Sequence, residues 1–167
     1  MKYLTHVLGG VALTSAASLA APTLLGPATP TALAVGVVGS LLPDIDHPKS
    51  TIANLTLFSK VLSKSVSMTT GHRGLCHSFA FIFVISILFH HFAVGLYQQI
   101  TPFCTLWLAL GMLSHLLLDM LNPTGVKLFW PVGKKRHLIG MKTGGLGEQI
   151  VAVILMALDT YLLTLLF

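Results

Sequence analysis

Charge is what this chain has least of. Ten Lys and Arg and five Asp and Glu make up 9% of its 167 residues, against about 25% in soluble globular proteins. Hydrophobic residues reach 54% and mean hydropathy is +0.83. A water-soluble domain, a disordered chain and a collagen-like fibre are thereby excluded. Cysteine is scarce too. Cys76 and Cys104 both fall in apolar runs, which leaves no disulfide framework and makes them buried thiols. A net charge of +5 would point to nucleic acid in a polar chain. Here the basic residues flank apolar segments, as in membrane proteins, and no nucleic-acid partner is expected. There is no internal repeat and no low-complexity segment.

What the chain does have is long apolar runs. A membrane-spanning helix needs about 20 mostly apolar residues, and segments 75–96, 103–121 and 146–167 meet that. Segments 4–21 and 31–42 are weaker, and a turn containing Pro22, Gly26, Pro27 and Pro30 separates them. The expected fold is all-α: a polytopic membrane helix bundle of about five spans, the first two short or irregular, forming one integral membrane domain over 1–167. Lys2, an apolar run and Ser18-Leu19-Ala20 also resemble a secretory signal. His6 inside that run has no use in an export signal and favours a retained helix.

Twelve of the fifteen charged residues lie in connections 43–74 and 122–148, and none lies in the turns 22–30 and 97–102. With five spans, Lys2 and both connections share one face. The positive-inside rule makes that face cytoplasmic, with the N-terminus inside. Within 49–70, Ile52, Leu55, Phe58, Leu62 and Val66 share one helical face and Lys60 and Lys64 the other. This reads as an amphipathic interfacial helix on anionic membrane lipids, or as a helix packed on the bundle ends. Segment 122–145 reads as a basic cytoplasmic loop.

Ionisable residues inside apolar spans are costly and are functional candidates by default. Here they gather at one end. His6 starts the first span; Asp44, Asp46 and His47 end the second; His72 and His77 open the third; His115 and Asp119 occupy the last turns of the fourth. His115 and Asp119 are four apart and share a helical face. Pro43 and Pro48 bracket Asp44 and Asp46, so an extended D-x-D is expected, with both carboxylates on one side. His72 falls on a loop and His77 in a first helical turn. Free backbone N–H groups there, with Arg73, suit an anionic phosphate.

Eight nitrogen and oxygen donors exceed one zinc site of about three protein ligands and a water. One or two divalent ions are expected, zinc first, with manganese or iron as alternatives. Taken singly, each residue has a plainer reading as a helix-to-helix hydrogen bond or a turn former. Their convergence argues against it, because so many unpaired buried polar groups would be expensive. His90 and His91 fall toward the opposite face, His137 sits among Lys134, Lys135 and Arg136, and Asp159 reads as structural.

The segments LLPDIDHPKS at 41–50, GHRGLCHS at 71–78 and SHLLLDMLNPTGVKLFWP at 114–131 together resemble the YdjM-like family of bacterial inner-membrane proteins. That family is described as LexA-regulated, metal-dependent hydrolases. The resemblance runs from His6 to about residue 131. It implies metal or catalytic roles for His6, Asp44, Asp46, His47, His72, His77, His115 and Asp119. Cys76 departs from the pattern, where relatives often have Thr, and puts a soft donor beside His77. The expected function is a membrane-embedded hydrolase in which metal-activated water attacks a phosphoester or acyl bond of a lipid-like substrate at the cytoplasmic interface. Asp46 or Asp44 would act as base and Arg73 as phosphate clamp. The alternatives are a divalent-metal transporter and a structural membrane protein clamped by its metal.

Overall fold

A computed structural model describes residues 1–47, 50, 60, 64, 74–94 and 101–167. Among these the chain is helical and forms no strand; a lone bridge pairs Val126 with Arg136. The helices are α1 (Tyr3–Ala20), the single turn α2 (Pro22–Leu25), α3 (Pro30–Leu41), α4 (Phe79–Val94), α5 (Thr101–Asp119) and α6 (Leu146–Leu166). Short 3-10 turns, Leu42–Asp46 and Leu75–His77, end α3 and precede α4.

Local chemistry sets these boundaries. Thr29 caps α3 by accepting the Ala32 N–H at 3.1 Å, and Pro30 takes the first helical position, where no donor is needed. The Ser78 hydroxyl accepts the Phe81 N–H at 3.3 Å and opens α4. The third apolar segment therefore becomes α-helical only at Phe79, four residues later than its hydropathy begins, because Leu75–His77 is spent on a 3-10 turn. The fourth ends at Asp119, where the chain turns through Leu121 and Asn122.

Packing is organised around α3. Its buried face is made of Ala32, Gly36, Gly39 and Ser40, so neighbours approach to backbone contact. A Cβ on Gly39 would lie 2.3 Å from the Leu108 carbonyl oxygen, and one on Gly111 would lie 2.0 Å from the Gly36 carbonyl oxygen. Small residues at such crossings allow membrane helices to associate without a hydrophobic driving force. α1, α3 and α5 pack against one another, α4 packs on α5, and α6 packs on α1. The outer surfaces of α4 and α6 expose Phe83, Phe92, Val153 and Ile154, which suits lipid contact.

Among the described residues two helices, α1 and α6, are long and apolar enough to cross a membrane. α4 and α5 carry shorter apolar stretches. α3, at 12 residues, is about 18 Å long and shorter than a hydrocarbon core of about 30 Å.

The expected interfacial helix at 49–70 lies outside the described residues except for Ser50, Lys60 and Lys64, and both lysines are exposed. The basic loop is turn-rich. Val126 and Arg136 exchange backbone hydrogen bonds, and the Leu138 and Met141 N–H groups donate to the carbonyls of Met120 and Leu121. This ties the loop to the end of α5 and leaves Lys134, Lys135, Arg136 and His137 exposed.

Candidate metal centre

The helices alternate in direction so that their polar termini meet. His6 lies in the first turn of α1, Ser40 near the end of α3, His77 just before α4, and His115 and Asp119 in the last turns of α5. His6, Asp46, His77, His115 and Asp119 are all buried, and Asp44 is 20% exposed.

His115 is oriented by the backbone: its Nδ1 donates to the Ser40 carbonyl at 2.6 Å, which leaves the lone pair on Nε2. That nitrogen faces His77 Nε2 at 3.2 Å. His77 Nδ1 lies 3.3 Å from Asp46 Oδ2, a carboxylate behind the imidazole that aims Nε2 at the centre. Asp119 Oδ2 completes a triangle, 3.4 Å from His77 Nε2 and 3.8 Å from His115 Nε2. Asp44 Oδ1 approaches the same two nitrogens at 4.0 and 3.8 Å. The His6 ring stacks on that of His115, centroids 3.7 Å apart, with its Nε2 3.5 Å from Asp119 Oδ1.

These donors fit a divalent cation. With bonds of about 2.0–2.1 Å, a tetrahedral zinc separates its donors by about 3.3 Å, and the His77–His115–Asp119 triangle has edges of 3.2, 3.4 and 3.8 Å. Two donor groups overlap at His115, His6–His115–Asp119 and Asp44–His77–His115, each with its atoms within 4.8 Å of one another. His6 is fully buried, its Nδ1 has no hydrogen-bond partner among the described residues and its Nε2 has only the Asp119 carboxylate at 3.5 Å, an expensive state for an imidazole unless it ligates.

Asp119 Oδ1 also accepts from the Met1 amino group at 2.7 Å and from Asn122 Nδ2 at 2.8 Å.

Several expectations change here. Asp44 and Asp46 do not lie on an extended strand. Pro43 sits at the start of a 3-10 turn, where its fixed φ is already helical and its missing N–H costs nothing. The two carboxylates consequently reach His77 from different sides, Asp46 at Nδ1 and Asp44 at Nε2. His47 ends that turn half-buried and belongs to neither donor group. His72 and Arg73 lie outside the described residues. Cys76 is buried beside His77 and belongs to neither donor group. At the other end, His90 is exposed, with Nδ1 3.3 Å from Thr105 Oγ1.

The YdjM inner membrane protein family matches residues 1–166. The chain belongs to this family. It is similar to YvsG of Bacillus subtilis strain 168, 34% identical over 167 residues, 98% of this chain and 94% of the relative. It is 37% identical to the inner membrane protein YdjM of Escherichia coli K12 over 122 residues, 73% of this chain and 60% of that protein. The inner membrane protein YbcI of the same strain is 31% identical over 114 residues, 64% of this chain and 57% of its own length. The chain thus spans less than two thirds of these two Escherichia coli relatives. No solved structure matches. The family is one of inner membrane proteins, in keeping with the two long apolar helices.

Two polar residues escaped the reading of the sequence. Asn122, three residues beyond Asp119, donates to its carboxylate and is approached by Thr143 Oγ1 at 3.4 Å. Glu148, buried in the first turn of α6, accepts from the Lys2 and Gly144 N–H groups and from Thr5 Oγ1 at 3.0 Å. It pins the start of α6 to the start of α1. An acid at the head of an apolar span is itself a signal.

Proposed function

We propose that this centre binds a divalent cation, zinc before manganese or iron, and hydrolyses a phosphoester or acyl bond of a lipid-like substrate at the membrane surface. The observation that carries this reading is the donor triangle of His77 Nε2, His115 Nε2 and Asp119 Oδ2, whose edges match a tetrahedral ion. A bound ion would polarise the attacked bond and make water nucleophilic near neutral pH.

The protein's own groups have separable tasks. The Ser40 carbonyl and Asp46 hold the two imidazoles so that both Nε2 atoms face inward. His6 and Asp119 extend the donor set toward a second ion. Asp44 is the most exposed of the carboxylates in the centre, and in this reading its Oδ1 takes the proton from the attacking water. Arg73 and His72 keep the tasks their motif implies, phosphate clamp and ligand. Five crossings, with the N-terminus and the basic loop cytoplasmic, accord with the exposed Lys134, Lys135 and Arg136 beside the end of α5.

The test is turnover by zinc-loaded protein in lipid nanodiscs, offered a phospholipid, an isoprenoid phosphate and a simple phosphodiester. We expect cleavage of at least one, lost in His115→Ala and strongly reduced in Asp44→Asn with zinc retained. Bound zinc without cleavage, together with zinc flux into sealed proteoliposomes that His115→Ala abolishes, would favour a transporter. Unfolding by chelator with no turnover of any probe would favour a metal clamp.

A further inference from the structure

Beside the polar centre, α3, α4 and α5 enclose a groove of about 480 Å³. Its walls include Val38 on α3, Leu42 at the start of the 3-10 turn that follows it, Ile85, Leu88 and Phe92 on α4, and Leu108 on α5. Every side chain lining it is aliphatic or aromatic. The volume falls within the roughly 300–1,000 Å³ of small-molecule sites, but those sites carry a few orienting polar groups and this one carries none. A ligand held there is oriented from elsewhere.

The groove meets the polar centre through the 3-10 turn that ends α3. Leu42 lines it and directly precedes Pro43 and Asp44, so one chain segment forms both its wall and the rim of the donor set. Leu108 lies seven residues before His115 on α5, about 10 Å at 1.5 Å per residue. From there the groove runs away from the centre toward Phe92, near the far end of α4. Val38, Leu88 and Phe92 are 52%, 46% and 73% exposed, which opens the groove sideways to lipid. A molecule with a polar head and one long hydrocarbon chain matches this layout, the head among the imidazoles and carboxylates and the chain leaving about 10 Å away.

We propose that this groove holds the hydrocarbon chain of the substrate, making it the determinant of specificity for a lipid with an anionic head. The proposal rests on the hydrolase reading above. Binding energy gathered along a chain remote from the reacting bond is then available to position the head. Filling the groove impairs recognition of long-chain substrates and leaves the metal donors untouched.

The test uses hexadecyl phosphate carrying a photoreactive diazirine at the chain end, in nanodiscs with zinc-loaded protein. Labelling is expected to concentrate on residues 85–93 and to fall about tenfold when unlabelled hexadecyl phosphate competes. Val38→Trp or Leu88→Trp should cause a similar fall without loss of zinc. These side chains face lipid, so either variant is expected to fold. Labelling of 85–93 no stronger than that of the exposed α6 residues Ile150, Val153 and Ile154 would overturn the proposal, as would labelling indifferent to both tryptophans. Uniform labelling with substrate turnover intact would remove the groove and keep the hydrolase. Concentrated, competable labelling with no turnover of any probe would remove the hydrolase and leave a lipid-binding site.

Discussion

The two ends of the bundle carry the same residue type in similar apolar surroundings and treat it differently. At one end His6, His77 and His115 are buried, stacked or edge-on to one another, and backed by a carbonyl or carboxylates. At the other, His90 and His91 are exposed on the surface of α4, and among the described residues His90 Nδ1 meets the Thr105 hydroxyl. Burial alone does not make a histidine functional. What separates the ends is that four chain segments deliver partners to the first, while among the described residues the second draws on its own helix and α5.

The sharpest way to break this comparison is to remove one histidine from each end. His115→Ala removes the ligand common to both donor groups and should abolish stoichiometric zinc binding, an affinity loss of more than about 100-fold. His90→Ala and His91→Ala should leave zinc content unchanged. Metal analysis of the purified variants decides the matter, and equal losses at both ends would erase the distinction.

The next largest effect concerns how the centre is assembled. Gly111→Val would drive a side chain into the Gly36 carbonyl and separate α3 from α5. The expected cost is about 3 kcal/mol or more, read as a lower unfolding temperature in detergent. Because Ser40 and His115 sit on these two helices, zinc retention should fall with it.

Asp46→Asn tests orientation rather than ligation. Groups that hold a ligating imidazole are typically worth about 10–100-fold in metal affinity, and Asn122→Ala, which removes one donor from the Asp119 carboxylate, should fall toward the lower part of that range. Competition with a chromophoric chelator measures both. A loss as complete as that of His115→Ala would make Asp46 a ligand.

The smallest effect is a pH dependence. An imidazole must give up its proton before it ligates a cation, so apparent affinity should rise with pH, by up to about tenfold per unit if one proton is displaced. Calorimetric titration in buffers of different ionisation enthalpy counts the protons released; no release would contradict a ligating His77.

These contrasts also show which features can be read from sequence. The pairing of His115 with Asp119 follows from helical periodicity, because four residues make just over one turn. The meeting of His6 with that pair follows from alternating helix directions. Asp44 and Asp46 did not follow. Pro43 blocks a regular helix and equally suits a 3-10 turn, and only packing against Leu75–His77 decides between them. Nor did Asn122 and Glu148 stand out, since their roles lie in long-range contacts to a helix end and to the N-terminal segment. The number of membrane crossings is similarly ambiguous, because α3 is apolar yet too short to span alone, and its Gly-rich face reports tight packing rather than depth.

Zinc K-edge X-ray absorption on the purified protein tests the central claim most directly. The account predicts a tightly bound ion with nitrogen and oxygen neighbours at about 2.0–2.1 Å, at least two of them imidazoles. An ion with a sulfur neighbour at about 2.3 Å, which would bring Cys76 into the ligand set, or no retained ion at all, would contradict it.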